Sequence, residues 1–393
     1  MFRRTKSEIV GPMDWILLCT ALAIIALGLM MVYSSTSDMG YREFEDAAFF
    51  FRRQVWWMLV GLVAMFVAAR MPYRYWTALS IPIMAATLLL LVVLVIFREG
   101  RLLVGNSVSP VEPAKLAMVI YIAHWLSSKS GQLSKLPYGL LPFTIMVGVI
   151  AGLVMAQPDI SEAMVIVLVA GTMFFMAGAD VIQFAIGVLG GGAAFAFVIT
   201  RLPHAMGRLQ LYLQQMRDPL QSENLQLIQG LVALGSGGIF GLGPGNGRMK
   251  YLWLPAAHTD SIFAIVGEEL GLVGCLLLVG LFLLLTIRGL RIAAQAPDAF
   301  GRLLALGFTC WITFQALINT AVVTGAIPFT GITLPFVSVG GSSLTMCMLA
   351  VGIMLSISRT ANVEGAASHE AGRVRRRDGG TRLSRPDRNQ SPA

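Results

Sequence analysis

The sequence is poor in charge. Of its 393 residues only 13% are Asp, Glu, Lys or Arg, while 56% are hydrophobic. That balance excludes a soluble enzyme, whose surface must be wetted throughout. Cysteine is scarce as well. Cys19, Cys275, Cys310 and Cys347 each lie inside an apolar run without metal-ligand spacing, so a disulfide framework and a zinc ribbon are both excluded. There are four histidines, and His258 has no companions at ligand spacing, which argues against zinc. The glycines of 241–247 are not followed by Gly-Lys-Ser/Thr, so a phosphate-binding Walker loop is excluded and a flexible or tightly turned loop remains. No internal repeat is detectable. The first apolar stretch is too long for a signal-peptide core and lacks a small-x-small cleavage site after it, which makes it an uncleaved span. The net charge of +8 resides largely in loops and tail, a pattern of membrane orientation rather than of nucleic-acid binding, and no nucleic-acid partner is expected.

What is abundant is hydrocarbon in lengths that cross a bilayer. Apolar runs of about 20 residues, enough for a ~30 Å core, recur along the whole chain. They predict an all-α polytopic membrane protein of about ten transmembrane helices, at roughly 13–33, 56–69, 77–97, 115–125, 140–156, 163–177, 181–200, 260–287, 303–323 and 344–357. Residues 1–12 form a cytoplasmic N-terminus, 13–357 the membrane domain and 358–393 a basic, disordered tail. The stretch 201–259 is a large external loop between the seventh and eighth spans, part amphipathic helix and part glycine-rich. Of the 29 Lys and Arg residues, 18 fall on the side of the two termini and 11 on the other, so the positive-inside rule places both termini in the cytoplasm.

Ionisable groups then collect at the outer face. Asp260 stands where the polar loop enters the eighth span. It reads equally as an N-cap or as a proton acceptor or metal ligand, and one residue can serve both roles. On a continuous helix Glu268 lies roughly 12 Å deeper and about 80° round, bordering the same cavity, while Glu269 points away towards a neighbouring helix. His258 and Thr259 precede Asp260 as a possible relay. Glu112 is expected near a helix start because Pro113 suits the first turn, and Lys115 shares its face. That pair reads either as a structural ion pair or as a cation for a phosphate with its orienting partner. Asp159 emerges beside it after the fifth span. Arg53 and Arg101 are interfacial arginines, headgroup anchors or phosphate ligands. Gly340, Gly341, Ser342 and Ser343 offer backbone amides at a helix start, suited to an anion or simply to a capped connection.

Taken together these motifs resemble the SEDS proteins (shape, elongation, division, sporulation), the FtsW/RodA group. The resemblance rests on Pro255-Ala256-Ala257-His258-Thr259-Asp260-Ser261-Ile262-Phe263-Ala264 with Gly267-Glu268-Glu269-Leu270-Gly271, and on Pro110-x-Glu112-x-Ala114-Lys115. It rests also on Gln157-Pro158-Asp159, Gly235-Ser236-Gly237-Gly238-x-x-Gly241, Thr333-Leu334-Pro335-Phe336 and Gly340-Gly341-Ser342-Ser343, in the family's order over roughly 11–359. The length and residues 254–271 lean towards the division branch.

The resemblance implies a bacterial inner-membrane glycosyltransferase that polymerises lipid II, the undecaprenyl-pyrophosphate-linked disaccharide peptide. It implies an essential aspartate at Asp260, as general base or as ligand of a divalent cation such as Mg or Mn, and no organic cofactor. Glu112 and Lys115 would line a central outward cavity, with Arg53, Asp159, His258, Thr259, Ser236 and residues 340–343 as further substrate contacts. Its implied partners are a class B penicillin-binding transpeptidase, other division or elongation proteins and membrane lipids. The chain departs from the family pattern at Leu102-Leu103, where Arg-Trp is common, and at Ser261, where Phe is common. It departs again at Ser161-Glu162, in place of Gly-Thr, and at Val339, in place of Tyr. None removes a charged residue of the motifs. A lipid II flippase, an elongation-type polymerase and a scaffold for division partners are the alternatives. Polar groups crowded at one face favour an enzyme over a transporter, which would more readily carry repeats and polar groups on both sides of the midplane.

Overall fold

The computed structural model describes residues 11–97, 109–157 apart from 130, 132, 134–136 and 138, and then 159–201, 203–217, 225–251, 253–328 and 330–378. Expectations placed on Arg101, Leu102-Leu103, Pro158 and the terminal segments beyond these limits fall outside the described residues.

Among the described residues there are twelve helices: α1 (Trp15–Phe44), α2 (Phe49–Arg70), α3 (Tyr75–Phe97), α4 (Val111–Ser128), α5 (Leu140–Met155), α6 (Ile160–Met176), α7 (Val181–Arg201), α8 (Pro203–Arg217), α9 (Leu225–Ser236), α10 (Ile262–Gln295), α11 (Ala299–Val323) and α12 (Gly341–Asp378). Seven, namely α1, α2, α3, α7, α10, α11 and the 341–360 part of α12, are long and apolar enough to cross a membrane; α5 and α6 are shorter apolar helices.

Two expected boundaries move. α1 runs on through 34–44, where an outer loop is expected, because Ser34, Ser35 and Thr36 are buried against the bundle. The hydroxyl of Thr36 bonds back to the carbonyl of Val32, so the polar run stays satisfied inside a helix. α12 likewise continues to Asp378, beyond the expected end of order at 357.

The helix faces sort by solvent. α11 and the first half of α12 are buried all round, whereas α7 and α10 turn Leu189, Phe197, Leu276 and Leu283 outward as lipid-facing hydrocarbon. α12 packs chiefly on α2, and α11 on α10, α4 and α6. One end of the bundle is tied by Arg288 to Asp14, by Tyr73 to Asp298 (2.8 Å) and by Arg359 to the carbonyl of Ala69 (3.0 Å). The opposite end carries the loops.

α10 is broken. Gly271 (φ 67°, ψ −166°) adopts a conformation essentially reserved for glycine. The glycine-rich loop fills the gap. The amides of Leu242 and Gly243 donate to the carbonyls of Glu268 and Glu269 (3.0 Å each), and those of Leu272 and Val273 donate to Gly238 and Ile239 (2.9 and 3.1 Å). Backbone approach this close requires glycine: a Cβ on Gly237 would lie 1.9 Å from the carbonyl oxygen of Gly267. Irregular backbone at membrane depth is tolerated where protein satisfies it, as here. The loop read from sequence as flexible or tightly turned is thus a backbone plug.

Candidate active site

Three segments meet at Asp260: its own loop, the connection from α11 to α12, and α11 itself. The Ser338 hydroxyl donates to the Thr259 carbonyl (2.6 Å) and accepts from the Leu334 amide (2.8 Å), while the Val339 amide donates to the His258 carbonyl (3.0 Å). From α11 the Asn319 amide donates to the carbonyls of Asp260 (2.8 Å) and Ile332 (2.6 Å). Gly331 is favoured here by its left-handed backbone (φ 70°), and a Cβ on it would come into van der Waals contact with Asp260 Oδ2 at 3.4 Å. Asp260 itself is half-buried, as are His258 and Thr259. The helix N-cap position is Ser261, whose side chain makes no capping bond, so α10 starts two residues past the expected point.

α2 closes a second wall. Gln54 donates to the carbonyl of Ser338 and accepts from the Gly340 amide (3.3 Å each). Arg53 stacks over Phe50 (5.0 Å), and Phe50 in turn faces the His258 ring (6.4 Å). Burial lowers the pKa of His258, Glu43 opposes and Arg53 adds to the lowering; the imidazole is therefore neutral at pH 7. Arg53 thus stands as a half-buried cation beside the Asp260 loop.

Lys115 is fully buried, and its ammonium meets three acceptors: Glu112 (3.0 Å), Glu162 (2.7 Å) and the Gln315 carbonyl oxygen (2.8 Å). It also lies 5.2 Å from the Trp311 ring. Glu162 supplies a second carboxylate, and Asp159 feels the same charges from the N-cap of α6. Contact with a phosphate therefore requires Lys115 to release one of its three partners.

The remaining expected residues divide. Ser342 accepts from the Ser109 amide (3.0 Å), Gly341 packs on the Trp57 indole, and Ser343 is buried with its hydroxyl beside Glu112 and Cys347. The Gly340 amide is already committed to Gln54, so the anion reading keeps only the first-turn amides of α12. The Ser236 hydroxyl turns back on Ala233 of its own helix (2.8 Å). Glu268 does not open on the Asp260 side; its carboxylate accepts the amides of Arg248 (2.7 Å) and Met249 (3.2 Å). Glu269 pairs with Ser34 of neighbouring α1 (2.6 Å) and with Lys250 (2.8 Å). Among the described residues no group of three or more His, Cys, Asp or Glu converges as a metal cage. Asp260 offers oxygen donors of the type a hard divalent ion takes.

Sequence reasoning passed over Gln54, Lys250, Gln315, Asn319 and Ser338. For Gln315 and Asn319 a signal exists: two amides one turn apart inside an apolar span are costly unless they bond something.

A family model described as cell cycle protein, FTSW_RODA_SPOVE, matches residues 14–363. A probable peptidoglycan glycosyltransferase FtsW from Trichlorobacter lovleyi is 38% identical over 358 residues, covering 88% of this chain and 93% of that protein. Stage V sporulation protein E of Bacillus subtilis is 39% identical over 355 residues, covering 88% and 97%. Among solved structures, a chain of a peptidoglycan synthase complex superposes with TM-score 0.70 at 26% identity, covering 89% of this chain and 98% of that one. The rod shape determining protein RodA of Thermus thermophilus does so with TM-score 0.64 at 26% identity, covering 88% and 97%. By sequence along nearly its whole membrane domain, and by fold, this chain belongs to the FtsW/RodA/SpoVE family.

Proposed function

We propose that this protein is a peptidoglycan glycosyltransferase that polymerises lipid II at the outer face of the bacterial inner membrane, in septal division. The observation that carries the reading is Asp260: a partly exposed carboxylate at the mouth of a helical bundle, pinned through its backbone by a buried amide, on a loop whose His258 faces Phe50 and, over it, half-buried Arg53. Asp260 accepts the proton of the acceptor sugar's 4-hydroxyl as that oxygen attacks the anomeric carbon of the donor. General-base assistance of this kind contributes about 10²–10⁴-fold.

The leaving group is a lipid pyrophosphate, whose charge needs cations. Arg53, half-buried beside the His258 end of the Asp260 loop, is the first candidate. Lys115 with Glu112, Asp159, and the amides of residues 341–343 are deeper candidates, while His258 and Thr259 line the approach. A divalent cation on Asp260 would neutralise pyrophosphate charge when bound. The ten spans comprise α1–α7 and α10–α12, with residues 201–259 external and both termini cytoplasmic. The protein works with a class B penicillin-binding transpeptidase, consistent with its likeness to a chain of a peptidoglycan synthase complex.

The test is purified protein with labelled lipid II, a divalent cation and a partner transpeptidase, products being resolved by glycan length. Wild type is expected to give a ladder. Asp260→Asn keeps size but loses the proton acceptor, and its turnover is expected to fall by about 10² or more. Transbilayer movement of lipid II without any ladder, where a control polymerase works, would make this a flippase. Full polymerisation by Asp260→Asn would keep the enzyme and remove Asp260 from the chemistry.

A further inference from the structure

Gln315 and Asn319 lie four residues apart on α11, both almost wholly buried, and both spend their amide hydrogens on the same strip of chain. Gln315 Nε2 donates to the carbonyl (3.1 Å) and hydroxyl (3.3 Å) of Thr333. Asn319 Nδ2 donates to the carbonyl of Ile332 and, with the same nitrogen, to that of Asp260. The Gln315 amide cannot turn over, because its oxygen is held by both Lys115 Nζ and Trp311 Nε1 at 2.8 Å. Asn319 Oδ1 is buried with no partner among the described residues, so this asparagine is held by its donors alone. The strip they grip begins at Thr330, whose carbonyl also accepts the Ser161 hydroxyl, and passes through Gly331, which abuts the Asp260 carboxylate. A continuous line of contacts thus runs from the Lys115 ion cluster through Gln315 and residues 331–333 to Asn319 and Asp260.

We propose that Gln315 and Asn319 are positioning residues for Asp260, and that the Glu112–Lys115–Glu162 cluster acts on the reaction through Gln315. They touch no substrate. Gln315 fixes the 331–334 strip, and Asn319 locks that strip to the Asp260 backbone, so that the carboxylate is presented at one depth and angle. The proposal rests on the reading of Asp260 as the catalytic base. A displacement of about 1 Å in such a group costs about 10²-fold in rate. Asn319 holds only the backbone of Asp260 and Ile332, so its loss leaves substrate binding alone.

Asn319→Asp and Gln315→Glu test it, since each keeps size while removing the donors, and Gln315→Glu keeps an acceptor for Lys115 and Trp311. Turnover and KM for lipid II are measured with the full-length protein and its transpeptidase, beside Asp260→Asn, and normalised to folded protein by melting curves. Both variants are expected to lose turnover by about 10²-fold, Asn319→Asp with KM within about twofold, and the double variant to lose much less than the product of the two, because both act on one strip. Wild-type turnover in either variant overturns the proposal, as does a raised KM with turnover retained, or a loss that only follows the folded fraction. If Asn319→Asp does not fold, Gly331→Ala displaces the strip from its other side; the same fall in turnover is expected, and wild-type turnover there would also be contrary. If Asp260→Asn is impaired while the amide variants are not, the reading of Asp260 stands and only this proposal fails. If Asp260→Asn is fully active, the reading itself fails.

Discussion

At the scale of single residues, the charge on Lys115 is the most consequential. One ammonium faces Glu112 and Glu162 in a fully buried position, and burying ions without partners is what makes such sites costly. The Ser343 hydroxyl of α12 also interacts with the Glu112 carboxylate. Lys115→Met would leave two carboxylates facing each other with no counter-ion. That change is expected to cost about 3–5 kcal/mol, read as a lower melting temperature in detergent. Adding Glu112→Gln and Glu162→Gln to Lys115→Met removes the repulsion and should restore much of that loss. A triple variant no more stable than Lys115→Met would mean that the cluster is not held by charge. Glu162 also bears on experiments with the Glu112/Lys115 pair: exchanging the two residues puts a glutamate at 115 beside Glu162, so failure of such an exchange does not by itself point to a phosphate.

At the scale of elements, α10 and the loop of residues 237–250 form one structure. Helix propensity alone would carry α10 straight through Gly271, but the four backbone bonds donated and accepted by the loop replace the ladder lost there. The carboxylates of Glu268 and Glu269 complete the joint by capping Arg248, Met249 and Gly245 and by pairing with Lys250. Gly271→Ala is expected to destabilise the protein by at least about 1–3 kcal/mol from backbone conformation alone. Its Cβ would in addition fall 2.3 Å from the Gly241 nitrogen. Gly280→Ala, in open space on the same helix, should be neutral or stabilising by up to about 1 kcal/mol. Melting curves of the two proteins check this. Equal melting temperatures would mean that the break is not required.

At the scale of the whole molecule, the bundle has two unlike ends. An Asp14–Arg288 ion pair, the Ser356 hydroxyl on the Met71 carbonyl and the Arg359 guanidinium on the Ala69 carbonyl cross-link one end, and the loops bearing Asp260 and Lys250 gather at the other beside Arg53 of α2. The proposed orientation puts the second end outside. Single cysteines at the exposed positions Phe240 and Gln295, in a Cys19→Ser background, should differ towards an impermeant thiol reagent on intact cells. Phe240→Cys should label and Gln295→Cys should not. The reverse pattern would invert the topology and take the external active site with it.

The apolar runs alone determine that this chain is a helical membrane protein, because a stretch of that length has no other way to satisfy its backbone in hydrocarbon. The motif around Asp260 likewise singles out that carboxylate as a candidate, since an ionisable group at a span entrance needs a reason to be there. The i,i+3 spacing puts Glu112 against Lys115 because both lie on one helix face. What no local pattern contains is the partner on another helix. Glu162 and Gln315 around Lys115, Ser34 on Glu269, and the Asn319 bonds to Asp260 and Ile332 join residues 47 to 235 positions apart, or reach across a loop whose path is set by packing. The break at Gly271 belongs to the same class. A glycine in an apolar run is compatible with a continuous helix, and only the arrival of a second glycine-rich backbone, with hydrogen bonds to offer, makes the broken form the stable one.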